Sequence, residues 1–429
     1  MTGLPFIAAF AETARDPALR RVALAFVGFN VAEWATWVAM LVYAYERGGA
    51  VGSGLVAIVQ LVPAAIFAPI GATLADRYPR VRVLTIGYVA QAVAMGATAI
   101  AIELDAPTGL VYALAAAAAT SITLTRPAQS GLLPALAATP SRLTGVNATL
   151  SSIENASIVA GPALAGVMLA AAGAGFVFAV MAAWLALSAL LSSGIRVRPE
   201  TRAAAADAAA DPRRAVRLLA DQPGALVLIG LLAIQQLQVG ALDVLFVALA
   251  LSALNIGEAG VGLLTSAVGL GGVIGAIAAG GMAARGSLPR WMIVGALVWG
   301  TGLVLVAPLP QVAVVFALVI AAGAGRGLMD VAGRTLLQRA TPPAILSRAF
   351  GVLEGLSMGA LAVGAGLAAI LVERFGPGGA VAVVGLLLPL AVLAATRPLV
   401  RLDRLDALPG NEPSQSITSA EDVRARRHG

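Results

Sequence analysis

Two carboxylates stand where a polypeptide can least afford them. Glu33 lies within FNVAEWATW, about twelve residues into a long apolar run, and Asp243 lies within QQLQVGALDVLF, deep in another. An ionised side chain at the centre of a bilayer costs roughly 2.5–3.5 kcal/mol on insertion scales, so such a position points to a role. A carboxyl between apolar walls can take up and release a proton, or it can pair with a cationic ligand. Asn30 precedes Glu33 by almost one turn and Trp34 follows it, while Gln235, Gln236 and Gln238 lie on the run that carries Asp243. An amide, an acid and an aromatic ring at mid-depth would suit an amphipathic molecule. The alternative for each acid is a satisfied hydrogen bond between helices. Trp37 is expected to pack on lipid or neighbouring helices.

A second set of charges lies nearer the ends of the apolar runs. Arg126 falls near the end of one of them and is the expected partner of Asp76. Arg326, Asp330 and Arg334 fall at i, i+4 and i+8, so one helical face carries all three. Together with Glu154 and Glu354 they read as a lattice of gate charges holding two bundles together at one face. Ordinary anchoring at the headgroups is the competing reading.

The elements that must position these groups follow from composition. The chain has 429 residues, 59% of them hydrophobic and only 12% charged. Soluble domains carry roughly 25% charged residues. Too little polar surface remains to cover a body in water, so the chain is an integral membrane protein. Repeated apolar runs of roughly 20 residues predict helices, because an isolated strand cannot satisfy its backbone in lipid. Twelve spans are predicted near 22–45, 53–75, 83–103, 108–131, 144–172, 175–195, 224–252, 259–284, 290–308, 311–337, 345–372 and 377–396. The organisation is an N-terminal segment 1–21, a six-helix bundle 22–195, a hydrophilic linker 196–223, a second six-helix bundle 224–397 and a polar, disordered tail 398–429.

Charge sets the expected orientation. One set of connections holds Arg77, Arg80, Arg82, Arg142, the linker arginines, Arg285, Arg290, Arg339 and Arg348; the other holds only Arg47 and Arg374. The positive-inside rule puts the Arg-rich set, the linker and both termini in the cytoplasm. The two halves also resemble each other. A shift of 208 residues lays Gly54 on Gly262, Arg77 on Arg285 and Arg82 on Arg290. Further on, the stretch from Leu132 parallels that from Leu336, a shift of 204, and after a four-residue gap in its loop Glu154 falls on Glu354 and Gly166 on Gly366. Such parallel repeats belong to a transporter architecture.

The stretch GATLADRYPRVR, residues 71–82, resembles the signature loop of the major facilitator superfamily through Gly71, Asp76, Arg77 and Arg80, with Pro79 where glycine is usual. The resemblance covers the chain from about residue 20 to 397. It implies an all-α fold of two six-helix bundles and a latch in which Asp76 and Arg77 reach the opposite bundle on one face only. The partner copy, GGMAARGSLPR, has Ala284 in place of the acid, so the latch is one-sided. GPALAG, residues 161–166, resembles the end of the antiporter motif of exporter branches: Pro162 would bend the helix, and Gly161 and Gly166 would let it pack against the other half. The run from Arg126 to Gly166 is similar to the enterobactin-exporter-like branch, which implies efflux of siderophores, macrolides or other amphipathic compounds in exchange for protons.

Other chemistries are excluded by residue type. There is no Cys, and the one His is His428 in the tail, so no thiolate or His-based metal site can form. No Walker-type loop is present, so ATP does not drive the chain. No cofactor, metal or nucleic-acid partner is expected, and no enzymatic activity. The net charge of +6 reflects the positive-inside bias. The expectation is a monomeric secondary transporter in a bacterial inner membrane, with a small-molecule cargo, protons as coupling ion and alternating access. A coupled importer or facilitator, and a scaffold or sensor that has lost transport, are the alternatives.

Overall fold

The computed structural model describes residues 15–136, 140–195, 222–282, 288–341 and 346–396. These residues are helical almost throughout, and there is no strand among them. Eight continuous helices are long and apolar enough to cross a membrane. Three of them turn at a glycine. Pro17–Arg77 breaks at Gly48 and Gly49, the latter at φ +58°, into α1 (17–47) and α2 (50–77). Pro140–Ser193 breaks at Gly173, φ +76°, into α5 (140–172) and α6 (174–193). Leu346–Ala394 breaks at Gly376, φ +68°, into α11 (346–375) and α12 (377–394). A left-handed backbone clashes with any Cβ, and glycine alone has none to clash.

The remaining helices are α3 (Arg80–Glu103), α4 (Thr108–Leu136), α7 (Pro223–Ala248), α8 (Gly257–Met282), α9 (Leu288–Val304) and α10 (Val312–Ala340). Twelve helical segments therefore stand where twelve apolar runs predict them. The first begins earlier than its apolar run. The Asp16 side chain accepts from the amides of Ala18 and Leu19 at 2.9 and 3.1 Å, and Pro17 occupies the first turn, so the polar residues before Val22 are already helix. The linker 196–221, the tail from 397 and the first fourteen residues lie outside the described residues.

Helices α1–α6 and α7–α12 form the two halves. Their outer faces are apolar and exposed at helical spacing, as with Ile86, Val89, Val93 and Ile100 on α3 and Leu386, Leu390 and Leu393 on α12. An exposed stripe of this kind is stable only against acyl chains. Bulky aromatics fill the interiors, Phe29, Tyr43 and Tyr88 in the first half and Trp299 in the second.

The halves meet along two seams related by the internal repeat. On one, Gly54 of α2 faces the Ala365 carbonyl of α11, and Gly366 faces Ile58. On the other, Gly262 of α8 faces the Pro162 carbonyl and Gly166 of α5. Gly54 and Gly262, which superpose under the 208-residue shift, are the ones that let backbones approach across the two seams. A hydrogen bond from Ser266 Oγ to the Val159 carbonyl, 2.7 Å, ties the second seam.

Candidate functional site

Glu33 and Arg126 come together. Glu33, on α1, accepts both of its bonds from Nη2 of Arg126 on α4, at 3.0 Å to Oε1 and 2.7 Å to Oε2. Arg126 also reaches Oε1 of Glu154 on α5 at 3.4 Å, and its guanidinium lies 5.7 Å from the Phe29 ring centroid. One cation thus serves two acids and sits near an aromatic ring. Three helices of the first half contribute, α1, α4 and α5, each with one charged side chain. These partners all belong to the first half. The expected pairing of Arg126 with Asp76 lies outside the described residues, because the side chain of Asp76 does.

The second half carries a matching group on α7 and α10. Asp330 accepts from Nε of Arg334 one turn along, at 3.1 and 3.2 Å. Arg326, one turn the other way, interacts electrostatically with both Asp330 and Asp243. Among the described residues no arginine stands within ion-pair distance of Asp243. Its hydrogen-bond donor is Trp37 Nε1 of α1, 3.1 Å from Oδ2, across the boundary between the halves. Trp37 was expected on lipid or among neighbouring helices, and sequence reasoning gave it no part in the site. Its place one turn beyond Glu33, on the same helical face, is the signal that points to it.

Two residues expected to line the same cavity do not. Gln238 is fully buried inside the second half, donating to the Val384 carbonyl at 2.6 Å and accepting from Trp299 Nε1 at 2.8 Å. An amide with both functions satisfied by its own bundle has no reason to face solvent. Asn30 is fully buried, and its Nδ2 donates to the Phe26 carbonyl one turn back at 2.9 Å. Trp34 is half-buried, and its Cβ lies against Gly161.

The gate residues distribute differently from the expected lattice. Each ion pair between described side chains joins residues of a single half. Arg80 donates to the Gly131 carbonyl of α4 at 2.6 Å, within its own bundle. Gly71 lets α2 approach the Thr123 carbonyl of α4, again within the first half. Arg77 closes α2 and is exposed. Glu354 is exposed on α11 and makes no ion pair among the described residues. In the packing motif, Gly166 and the Pro162 carbonyl do meet the other half, whereas Gly161 packs on α1 of its own.

Among the described residues the two halves touch toward the Arg-poor end only. Gly54 and Ile58 of α2 lie against α11, but residues 65–70, toward the Arg-rich end, are exposed throughout. On α11 a side chain added at Gly351, Gly355 or Gly359 would meet nothing within 4 Å. The Arg-poor end is closed by the glycine seams and by Tyr45 and Ser252, whose hydroxyls are 2.7 Å apart across the halves. Among the described residues the charged groups therefore border a gap that opens toward the Arg-rich end, and they pair within their own walls.

Two repeated six-helix halves, hinged on glycine seams about a charged gap, define a multi-pass membrane transporter. A family model confirms the class. The chain belongs to the Major Facilitator Superfamily, whose model matches residues 22–241 and again 228–427. It is accordingly a transporter and not an enzyme. Solved structures share the fold. The nucleoside transporter NupG is 13% identical with a TM-score of 0.67, covering 92% of this chain and 100% of that one. A bacterial homologue of the iron transporter ferroportin in its inward-facing state is 17% identical with a TM-score of 0.66, covering 94% and 100%. A D-xylose–proton symporter is 16% identical with a TM-score of 0.67, covering 87% and 95%. No curated protein sequence matches the chain.

Proposed function

We propose that this chain is a proton-coupled exporter of a small amphipathic molecule bearing positive charge, working by alternating access. The observation that carries the reading is the division of labour between the two deep acids. Glu33 has its charge matched by Arg126, whereas Asp243 is held by a neutral N–H. A carboxylate whose hydrogen bond comes from an indole, with Arg326 acting on it only from beyond ion-pair distance, can exchange a proton, or accept a cation, without a direct ion pair having to break. Asp243 is the exchange site. Glu33, Arg126 and Glu154 form the wall against which cargo is oriented, with Phe29 beside them as the apolar surface.

The direction of transport rests on the antiporter-like GPALAG segment and on the similarity of residues 126–166 to the enterobactin-exporter-like branch. The protein acts in the bacterial inner membrane as a monomer, with the Arg-rich end and both termini in the cytoplasm. The gap that opens toward the Arg-rich end is then an inward-open state, ready to collect cargo from the cytoplasm or the inner leaflet. Asp76 and Arg77 latch the halves when that gap closes.

A compound-retention panel tests this. Cells lacking the gene should retain amphipathic cations more than cells overexpressing it, and collapse of the proton gradient should erase the difference. Lower retention in the deletion strain would make it an importer. Unchanged transport in Asp243→Asn would remove the exchange role from that residue.

A further inference from the structure

Along α1 and along α7 with the π-helical turn Leu249–Ala253 that continues it, the two halves are joined by two side-chain hydrogen bonds, roughly two turns apart on each side. The outer one, Tyr45 to Ser252, is neutral and lies at the Arg-poor end. The inner one, Trp37 to Asp243, ends on a carboxylate. One turn farther in, Glu33 no longer reaches across and is held by Arg126 of its own half. Trp37 thus makes the last cross-half bond on this seam before the gap begins. Two further charged groups bear on this boundary: Arg326 of α10 acts on Asp243 from beyond ion-pair distance, and Glu46 of α1 meets Glu258 of α8 across the halves at the Arg-poor end. The rest of the closure is uncharged: glycine on backbone, Ile58 beside Gly366, and a hydroxyl on a carbonyl.

A hydrogen bond to an ionised acceptor is roughly twice as strong as one between neutral groups. The inner bond therefore differs from its neighbours, because its strength depends on whether Asp243 carries its charge. A proton on Asp243, or a cation resting against it, weakens the hold of the indole while leaving the neutral packing unchanged. We propose that Trp37 is a positioning residue that makes closure of the Arg-poor end depend on the charge of Asp243. It touches neither cargo nor proton in this role. It converts the state of the acid into a change in the balance between closed and open seams. The inference rests on alternating access and is independent of cargo and direction.

The chain contains no cysteine, so introduced thiols report without background. Leu104 and Leu309 are exposed at the Arg-poor end of opposite halves. Spin labels on Leu104→Cys and Leu309→Cys, in the full-length protein in lipid, give the distance distribution across that end. Trp37→Phe keeps the ring and removes the donor; Asp243→Asn keeps an acceptor and removes the charge. Each should move the open-to-closed ratio toward open by about tenfold. The double variant should be no more open than Trp37→Phe alone, since without the donor the charge of the acceptor has no bond to strengthen. Loss of structure would appear as a lowered melting temperature and a broadened distribution in place of a second discrete distance. A Trp37→Phe distribution equal to the parent, or effects that add in the double variant, overturns the inference while leaving alternating access intact. A single distance in parent and variants under every condition, proton gradient included, overturns alternating access and the link with it.

Discussion

Arg126 is the side chain on which the charges of the first half converge. It forks onto Glu33, reaches Glu154 and lies near Phe29. Arg126→Leu leaves two acids without their cation and should abolish transport. Arg126→Lys keeps the charge without the planar fork and should reduce transport roughly tenfold. The group is about half-exposed, with 44% of its side chain accessible, so solvent screens the loss. Stability should fall by about 1 kcal/mol, not by the 3–5 of a fully buried broken pair. Transport assays read the first effect and thermal melting in detergent the second. Gln238 shows the opposite balance. It is fully buried and bonds Trp299 and Val384 inside its own half. Gln238→Leu should cost about 1–3 kcal/mol by orphaning those partners. It should lower the melting temperature while leaving the relative order of transported compounds unchanged. A shifted compound profile at normal stability would return Gln238 to the cavity.

At the scale of helices, the seams decide what can move. Gly262 faces the Pro162 carbonyl, and its repeat-mate Gly54 faces the Ala365 carbonyl. A methyl group at Gly262 has backbone in its way, and backbone cannot rotate aside as a side chain can. Gly262→Ala should therefore destabilise the closed Arg-poor end by about 1–3 kcal/mol. A single cysteine at Ser252 should then react faster with a thiol reagent applied from that side, and equal rates would show that the seam absorbs the methyl. The turns behave differently. Gly173 sits at φ +76° in open space, so Gly173→Ala meets only the backbone penalty. It should cost about 1–2 kcal/mol in melting stability with transport unchanged once folded.

At the scale of the whole molecule, the structure is one pose of the proposed alternating-access cycle. Among the described residues the halves are closed where glycines repeat and parted toward the end where arginines cluster. Impermeant thiol labelling fixes which end faces which compartment. A cysteine at Asp105, in the turn between α3 and α4, should label from outside intact cells, and one at Arg213, in the linker, only after permeabilisation. The reverse pattern would invert the assigned topology and make the observed gap an outward one.

The sequence alone determined the twelve spans, the six-plus-six division and the repeat. Each is a statement about hydrophobic length or local spacing, and lipid enforces both residue by residue. It also picked out Glu33, Arg126, Glu154 and Asp243, because a charge within an apolar run is conspicuous wherever it points. It did not determine who pairs with whom. Arg126 meets Glu33 and Glu154, Gln238 turns inward, and Trp37 crosses between the halves, because rotation of each helix about its own axis is set by packing against neighbours far away in the chain. Tertiary structure alone decided that the cross-half bond at mid-depth runs from an indole to a carboxylate, since two helices 206 residues apart had to be laid side by side before either group had a partner.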